Sequence, residues 1–598
     1  MGICVAALGA VLVCRTTFSG VTLETVSFDT APYDSPPRKV SGVLISPDKP
    51  VSIPAPGVVF SHGLMMTKEH YIEQCGALAR TGFVVLAIDL RGHGATGGAN
   101  DAGLTERRDV WAAVEYLGGV PGVDPERIAV GGHSLGAIAS TTAGIYQEAD
   151  GIKTVAAIAG QPGREEAAEL LFGDIDDFLG RVWPFLGWSR QWDINSAEDL
   201  AERDIIGDIT VDRPPNYLVI VGEHDSALPV DTARMMMKKA TGQRDFQVGR
   251  TYGAFDDGTA RRMEVTGDTH SSEVYSSEVW NALARWVHES FDLPFEGELR
   301  IKARWRYAGG ACVFTGIFLI GLGALYLVRY AVEGSGPAVD TVRFDSGGGR
   351  ATTTVAVLSV ALFGLISLLT FPFSRATGIR ALVPFLGADL YSSLAASRTL
   401  LLIIAAALVL AFERIKGGHL YRSGKFLKPA VVGRSMLAGV VTVAVLMLLY
   451  APTAHLLYLN GEVPVSLWGF FAFAALVTAQ LYFEQEYFHH FLLPAFSPTD
   501  SRGKRIKYIL MESAVRGVAF GLAFIPLVAN PMYVVGRQGE IRLPVVPVVM
   551  IVGFFLFLPP SALGLYARRR GYSVIAPALF LALLASVIVG CLFAVQVF

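Results

Sequence analysis

Long apolar runs fill the second half of the chain, and they restrict the available folds more than any other feature does. These runs lie at 308–328, 351–373, 399–412, 435–457, 466–484, 508–528, 545–567 and 572–597. A helix that crosses a bilayer needs about 20 apolar residues. Residues 296–598 are therefore predicted to form an all-α transmembrane domain of about eight helices.

The distribution of charge divides the chain at the same place. Residues 308–598 contain 22 Lys and Arg against 11 Asp and Glu, whereas residues 1–307 contain 28 against 42. The net formal charge of −3 thus conceals an acidic half and a basic half. An acidic half gives no reason to expect a nucleic-acid partner. Five cysteines are too few to indicate a small disulfide-stabilised scaffold.

The first 20 residues contain an apolar stretch, at 3–14, that is shorter than a membrane span. The stretch lacks the basic segment and the small-residue cleavage site of a secretory signal peptide. We interpret residues 1–20 as a candidate uncleaved signal anchor. A strand-like apolar leader is the alternative interpretation.

Residues 21–295 have the pattern of an α/β domain, because short apolar runs alternate with helical patterns. Runs this apolar suit strands of a parallel sheet that is covered on both faces. The clearest predicted strands are 57–60, 83–89, 127–131, 154–158 and 217–221. The predicted helices are 69–81, 104–118, 135–149 and 276–291.

The strongest chemical signal in this domain is Gly132-His133-Ser134-Leu135-Gly136, which follows one predicted strand and precedes a predicted helix. This is the context that a G-x-S-x-G nucleophile elbow requires, because a sharp turn must present the serine hydroxyl above the sheet. The flanking glycines allow such a turn without Cβ clashes. The motif therefore predicts that Ser134 is a nucleophile.

Residues 21–295 resemble the α/β-hydrolase superfamily, in particular dienelactone hydrolases, esterases and acylaminoacyl-peptidase-type enzymes. The resemblance rests on the elbow and on Phe60-Ser-His-Gly63, Asp89-Leu-Arg-Gly-His-Gly94 and Asp124-Pro-Glu-Arg-Ile128. It implies an α/β hydrolase fold, with a mostly parallel sheet, helices on both faces and an inserted cap at 163–212.

The resemblance also implies a catalytic triad in the chain order serine, acid, histidine. Asp225 matches the position of the acid in Gly222-Glu-His-Asp225, and Glu223 is the weaker candidate. His270, in Gly267-Asp-Thr-His270, matches the histidine. The expected oxyanion donors are the backbone N–H groups of Leu135 and Leu64. We expect neither a cofactor nor a metal ion.

Other residues of this domain are further candidates for a functional role. We expect His62 and His93 to shape turns, because both belong to turn motifs of the family, and Cys75 to be a small buried residue. The predicted cap is rich in aromatic residues. Three alternative roles fit these residues: they line an acyl pocket, rest on the bilayer or form the core of the cap itself. They are Phe172, Phe178, Trp183, Phe185, Trp188 and Trp192.

Ionisable residues also occur in the basic half, where Glu484-Gln-Glu486-Tyr-Phe-His489-His490 ends an apolar run. Ionisable residues at membrane depth are functional candidates. The segment faintly resembles the Glu-Glu-x-x-x-Arg motif of CAAX-protease-like membrane proteins, but Gln485 and His489 depart from it. We therefore expect a satisfied polar cluster at the membrane interface, with no metal. Glu512 and Arg516, four residues apart, are predicted to pair on one helix face.

The orientation of a membrane protein follows from Lys and Arg, which are enriched in short cytoplasmic loops. The most basic segments are 413–434, 502–507 and 568–570. Even numbers of predicted spans separate them, so all three face the cytoplasm together and the α/β domain lies outside the cytoplasm. The basic residues at 300–306 disagree, because they precede the first run on that outer side.

The sequence thus predicts a multi-pass protein of the cell membrane that is a serine hydrolase and cleaves a carboxylic ester. A lipid or acylated compound is one substrate that would suit the aromatic cap and the position near the bilayer, and membrane lipids are the expected surroundings. One alternative is a membrane-tethered serine peptidase or amidase. Another is a transporter or flippase-like membrane domain with an accessory hydrolase domain. The sequence leaves the oligomeric state open.

Overall fold

The computed structural model describes residues 1–64, 66–96, 105–160, 205–225, 228–270, 272–295, 297–333, 359–366, 398–404, 467–491, 501–522 and 545–569, with residues 578, 581 and 582. The chain divides into two units. The N-terminal unit is formed mainly by Cys4–Phe314, and the C-terminal unit mainly by Thr315–Thr453 and Pro464–Gly590. The predicted cap at 163–212 lies outside the described residues as far as residue 204.

An eight-stranded sheet runs through the N-terminal unit, in the order β1-β2-β4-β3-β5-β6-β7-β8. The strands are β1 (Val21–Asp29), β2 (Lys39–Pro47), β3 (Ala55–Ser61), β4 (Val84–Ile88), β5 (Val123–His133), β6 (Ile152–Ile158), β7 (Tyr217–Gly222) and β8 (Arg261–Thr266). The pairings β1–β2 and β2–β4 are antiparallel, and all other neighbours are parallel. The predicted mostly parallel sheet is therefore confirmed.

Helices cover both faces of this sheet, as predicted. They are α2 (Ile72–Ala79), α3 (Glu106–Gly118), α4 (Leu135–Tyr146), α5 (Ile205–Asp208), α6 (Val230–Thr241) and α7 (Ser277–Ser290), and α1 (Gly2–Thr17) precedes the sheet. Trp111 of α3 and Met236 of α6 belong to one buried core, whereas Leu78 of α2 and Trp280 of α7 belong to a second core. The predicted helix 69–81 is shorter than expected, because residues 68–71 form a 3₁₀ turn.

The alternation of side chains along the interior strands supplies both cores. Val58 and Phe60 of β3 belong to one core, and Val59 between them belongs to the other. Every residue of β3 is consequently buried. A strand buried on both faces is apolar along its whole length, which explains why the interior strands were visible in the sequence.

The N-terminal helix corrects one interpretation. Residues 2–17 form α1, so the alternative of a strand-like leader is wrong. This helix packs on α8 (Ala303–Glu333), where a Cβ added to Gly9 would lie 2.4 Å from the carbonyl oxygen of Gly309. The two backbones approach this closely because neither glycine has a side chain.

A buried arginine, just after β4, links the connection between β1 and β2 to α3. Arg91 Nη2 donates hydrogen bonds to Asp109 Oδ1 at 2.7 Å and to Asp34 Oδ2 at 2.8 Å. Burial by itself lowers the pKa of Arg91, but the hydrogen bonds and charges of the two carboxylates together raise it above its ordinary value. The three charges therefore stabilise the fold only as a group.

The C-terminal unit contains α9 (Leu467–Phe491), α10 (Arg502–Leu522) and α11 (Val545–Arg569), with further helical stretches at 359–366 and 398–404. The predicted run 435–457 lies outside the described residues. In the part of the chain that the structure describes, no helix combines the length and the apolarity needed to cross a membrane.

The basic segments at 502–507 and 568–570 were expected to be loops, and the structure corrects this expectation. The first forms the opening turns of α10, and residues 568 and 569 end α11. Lys and Arg have high intrinsic helix propensity, so a charged segment next to an apolar run extends the helix instead of ending it.

Charged side chains pair within the C-terminal unit. The Glu484 carboxylate lies 3.2 Å from Arg398 Nη2 and 3.5 Å from Arg516 Nη1. The predicted pair of Glu512 and Arg516 forms, with 3.1 Å between Oε1 and Nη2. Glu484 and His489 are buried, so the polar cluster expected at an interface lies in the interior of this unit. The side chains of Glu486 and His490 lie outside the described part.

Removing Asp109 tests the buried charge group. We expect Asp109→Ala to lower the free energy of unfolding by about 3–5 kcal/mol, because Arg91 is left buried beside an incomplete set of partners. Chemical denaturation of the full-length protein measures this loss. Lys39→Ala is the control, because the pair of Lys39 and Asp29 is exposed and contributes at most about 1 kcal/mol. Equal losses for the two variants would show that the buried charges do not stabilise the fold as a group.

Candidate active site

Four loops meet at the edge of the sheet where the parallel strands end. The loop after β3 carries Gly63 and Leu64, the turn after β5 carries Ser134, and the loops after β7 and β8 carry Asp225 and His270. In open α/β sheets, ligands bind at the carboxyl ends of the strands. The topology therefore gathers the predicted residues, which are far apart in sequence, at the edge where a site is expected.

The backbone at Ser134 is strained, with φ 52° and ψ −115° between β5 and α4. Such a conformation is costly for a residue with a side chain and persists only where its surroundings impose it. A Cβ added to Gly132 would lie 2.3 Å from the carbonyl carbon of Gly136, and one added to Gly136 would lie 2.1 Å from the carbonyl oxygen of Ser61. Glycine at both positions thus permits the sharp turn that exposes the serine.

Hydrogen bonds join the three residues of the predicted triad. His270 Nε2 lies 3.1 Å from Ser134 Oγ, and His270 Nδ1 lies 2.9 Å from Asp225 Oδ2. The buried Asp225 also accepts a hydrogen bond from the Leu228 N–H at 2.8 Å, which orients its carboxylate. The arrangement is that of a nucleophile, a base and a group that orients the base.

The weaker acid candidate, Glu223, and two other histidines of this domain do not contact His270 in this way. Glu223 and His224 are exposed on the turn that precedes Asp225. His288 is buried within α7, and its Nε2 lies 3.1 Å from Thr81 Oγ1. The structure therefore brings Asp225, and not Glu223, to the imidazole of His270.

His62 and His93 are buried, and their rings lie 4.8 Å apart. His62 Nε2 accepts a hydrogen bond from the Leu90 N–H at 3.1 Å, which ties the loop after β3 to the turn after β4. Burial lowers the pKa of His62 and of His93 to about 3. Both residues shape turns, as predicted. Cys75 is buried as well, and burial raises the pKa of its thiol.

The two predicted oxyanion donors belong to backbone segments that adjoin Ser134. A Cβ added to Gly63, next to Leu64, would lie 3.4 Å from Ser134 Cβ. Leu135 is the first residue of α4, and the N-terminus of a helix favours a negative charge. Leu135 thus directly follows Ser134 in the chain, and Leu64 directly follows Gly63, which lies close to Ser134.

Three buried residues behind His270 were missed by sequence reasoning, because their contacts connect distant segments. Tyr71 Oη lies 3.0 Å from His133 Nδ1, and His133 Nε2 lies 3.1 Å from the carbonyl oxygen of His270. Glu273 Oε2 lies 3.6 Å from His133 Nε2 and 4.0 Å from His270 Nδ1. The signals in the sequence were that His133 directly precedes Ser134 in the elbow and that Glu273 follows His270 by three residues.

His133, His270 and Glu273 also offer ligand atoms that lie within 4.8 Å of one another, as a metal site would require. Nitrogen and carboxylate ligands of this kind suit zinc. However, His133 Nε2 already pairs with the His270 carbonyl oxygen, and His270 Nδ1 pairs with Asp225. A metal would take His270 away from Asp225, so we assign these atoms to hydrogen bonding.

Residues 58–271 match the model of the Alpha/beta hydrolase family. The match begins within β3 and ends just after His270, so it contains Ser134, Asp225 and His270. Together with the observed sheet, the match supports the predicted α/β hydrolase fold for this part of the chain. The match therefore supports, for residues 58–271, the hydrolase class that the sequence predicted.

Several solved structures resemble this part of the chain. An acylaminoacyl peptidase of Pyrococcus horikoshii is 15% identical with a TM-score of 0.36, over 48% of this chain and 44% of the peptidase. An esterase of Pyrococcus furiosus is 18% identical with a TM-score of 0.31, over 44% of this chain and 92% of the esterase. An α/β hydrolase from a Penicillium species is 14% identical with a TM-score of 0.33, over 46% of this chain and 100% of that chain.

The structural resemblance to the acylaminoacyl peptidase thus spans less than half the length of that peptidase. Identities and TM-scores this low identify no activity. No curated protein matches the chain.

Substitution of Gly136 tests the close packing of the elbow. We expect Gly136→Ala to lower the free energy of unfolding by about 1–3 kcal/mol or more, because its methyl group would overlap the Ser61 carbonyl. Thermal unfolding measures the effect. Gly119→Ala is the matched control, because Gly119 has φ −83° and ordinary contacts, the nearest at 3.4 Å. A Gly136→Ala protein as stable as this control would refute the close packing of the elbow.

Proposed function

We propose that the protein is a membrane-bound serine hydrolase that cleaves a carboxylic ester through an acyl-enzyme. Ser134, His270 and Asp225 are the proposed catalytic triad. The observation that carries the proposal is the continuous hydrogen-bonded path from Ser134 Oγ through His270 to Asp225, within a domain that matches a hydrolase family.

The proposed roles follow from the positions of the atoms. Ser134 Oγ attacks the substrate carbonyl carbon while His270 Nε2, 3.1 Å away, takes its proton. Asp225 accepts the Nδ1–H of His270, holds the imidazole in this tautomer and stabilises the imidazolium. His270 then protonates the leaving group, and an acyl group stays on Ser134. Water attacks that acyl group with His270 as the base, which releases the acid and restores Ser134.

The developing oxyanion needs donors that are in place before the reaction. The proposed donors are the backbone N–H groups of Leu135 and Leu64. Loss of one such donor slows acyl transfer by about 10²–10³-fold. Because both donors belong to the backbone, their placement depends on the packing of the loop after β3 on the elbow.

An apolar acyl group is the proposed feature of the substrate. The segment between β6 and β7 starts at the carboxyl edge of the sheet, next to the end of β5, and it contains the six aromatic residues of the predicted cap. Aromatic side chains commonly line sites for apolar ligands. A serine peptidase or amidase would use the same triad, and it is the first alternative.

The membrane-bound nature of the enzyme is supported by the apolar runs of residues 308–598, and the basic segments support an extracytoplasmic α/β domain. The basic residues at 300–306 were the conflicting signal. Arg306 is buried, and its Nη1 donates to the carbonyl oxygen of Glu69 at 3.1 Å. The Arg306 side chain is therefore bound within the N-terminal unit. It is accordingly weaker evidence that residues 300–306 face the cytoplasm.

A transporter or flippase-like membrane domain with an accessory hydrolase domain is the second alternative. The buried ion pairs of Glu484 with Arg398 and Arg516 favour it. Charged groups in the interior of a membrane domain often mark a path for ions or polar groups.

Ser134→Ala is expected to abolish covalent labelling by a fluorophosphonate probe, because the probe reacts with an activated serine hydroxyl. We also expect the rate of ester hydrolysis to fall by at least about 1,000-fold. Ser276→Ala is the matched control, because the Ser276 side chain makes no capping hydrogen bond with α7. Labelling that persists in Ser134→Ala would refute the assignment of Ser134 as the nucleophile.

A substrate panel separates the alternatives. It contains p-nitrophenyl esters of increasing acyl length, a lysophospholipid and a p-nitroanilide, each tested with the wild type and Ser134→Ala. Ser134-dependent ester turnover supports the proposal, and turnover of the anilide alone favours a peptidase or amidase. If neither protein turns over any compound of the panel, and Ser134→Ala leaves transport by the membrane domain unchanged, the transporter alternative is favoured.

The proposed orientation predicts that a protease added to intact cells cuts segment 163–212. Immunoblotting with an antibody against the α/β domain detects the fragments, and a cytoplasmic protein that stays intact is the control. Cleavage that occurs only after lysis would reverse the orientation.

A further inference from the structure

Three buried side chains connect the loops of the proposed triad. They are Tyr71, His133 and Glu273, which we call the buried network. All three are almost inaccessible to solvent. The proposed mechanism gives none of them a chemical step, although a buried polar group is costly unless its partners repay its desolvation.

The first part of the network runs from the loop after β3 to His270. The Gly63 N–H donates to Tyr71 Oη at 3.3 Å, and Tyr71 Oη lies 3.0 Å from His133 Nδ1. His133 Nε2 lies 3.1 Å from the carbonyl oxygen of His270. Because a carbonyl oxygen can only accept, Nε2 must carry the proton of the neutral imidazole. Nδ1 then accepts from the Tyr71 hydroxyl, which also lies 3.1 Å from the weaker acceptor Met66 Sδ. One directed path thus links Gly63 to His270.

The second part of the network joins the acid to the base. Glu273 Oε1 accepts a hydrogen bond from the Gly222 N–H, at the end of β7 and three residues before Asp225. Glu273 itself lies three residues after His270, in the 3₁₀ turn Glu273–Tyr275. Its Oε2 faces His133 Nε2 at 3.6 Å and His270 Nδ1 at 4.0 Å. One side chain thus contacts the segments that carry both Asp225 and His270.

The protonation state of Glu273 matters because of the charges around it. Asp225, Asp268, His133 and His270 face it. Burial and then the charge of Asp225 raise the pKa of Glu273 to about 9, so the carboxyl is neutral at pH 7. Burial also holds the pKa of His133 well below its usual range. Near neutral pH the network therefore adds no charge beside His270.

We propose that Tyr71, His133 and Glu273 are positioning residues, which set the spacing between the loop after β3, Ser134 and the pair of His270 and Asp225. The inference rests on the proposed function, since it takes these residues as the catalytic triad. The network holds His270 through its carbonyl oxygen and leaves both ring nitrogens to Ser134 and Asp225. An error of about 1 Å in such a site costs about 100-fold in rate.

Tyr71→Phe removes a single oxygen atom and leaves the Gly63 N–H and His133 Nδ1 without their shared partner. We expect kcat for a p-nitrophenyl ester to fall by about 10- to 100-fold, with KM changed by less than about threefold. Fluorophosphonate inactivation should slow in proportion. Tyr116→Phe makes the same chemical change on α3, where the ring stacks on Phe28, and it should behave as the wild type.

Glu273→Gln and Glu273→Ala separate the shape of Glu273 from its ionisation. In the wild type, ionisation as pH rises through about 9 places a second negative charge beside Asp225 and His270, so kcat should fall there. Glutamine retains an acceptor for the Gly222 N–H and cannot ionise, so Glu273→Gln should lose this alkaline limb. Glu273→Ala should lower kcat at every pH and more than glutamine does.

Stability provides an independent readout of the same group. A carboxyl whose pKa is raised by folding keeps its proton in the folded state and loses it in the unfolded state, between about pH 4.5 and pH 9. The contribution of Glu273 to the wild-type free energy of unfolding therefore falls as pH rises through this window. Glu273→Gln should show a flatter pH dependence in chemical denaturation.

The outcomes distinguish this inference from the proposed function. If Ser134→Ala is still labelled, the proposed function fails and the inference fails with it. If Ser134→Ala abolishes labelling while Tyr71→Phe turns over ester at the wild-type rate and Glu273→Gln keeps the alkaline limb, the inference alone is overturned. Both decisive variants preserve side-chain volume, so the test stands even if Glu273→Ala does not fold.

Discussion

The parallel pairing of β3 with β5 is the constraint on which the site depends. It sets Ser61 beside Gly132, so that the loop after β3 and the elbow leave the sheet at the same level. Gly136 then packs against the Ser61 carbonyl with no room for a side chain. This contact holds the strained turn at Ser134 against the segment that carries Gly63. A shift of register would separate the nucleophile from its proposed oxyanion donors.

Burial divides the histidines near this edge into two kinds. The pKa values of His62, His93 and His133 are lowered chiefly by burial, and hydrogen bonds to the backbone hold all three rings in place. The His270 side chain is 24% exposed and lies between Ser134 and Asp225. An imidazole that exchanges a proton with a substrate must be reachable, so His270 alone of these four meets that need.

The sequence predicted strands β3 to β7 and missed β1 and β8 at the edges, together with the buried interior strand β2. Strands β3 to β7 each contain a segment that is buried on both faces, and these segments appear as apolar runs. Strand β1 alternates between buried and exposed residues, and β8 contains Arg261, Arg262 and Glu264, so neither produced such a run. The basic segment at 502–507 was assigned to a loop because charge was weighed above helix propensity.

By itself the sequence determined the α/β pattern and the strand-turn-helix context of Ser134, and it predicted Asp225 and His270 as the partners of Ser134. Local glycine spacing and a family resemblance carry that information. Only the tertiary structure decided which atoms meet, such as the pairing of Asp225 rather than Glu223 with His270. It also revealed Tyr71, His133 and Glu273 as one group. Their contacts depend on the order of strands in the sheet, because loops distant in sequence become neighbours only when parallel strands pair.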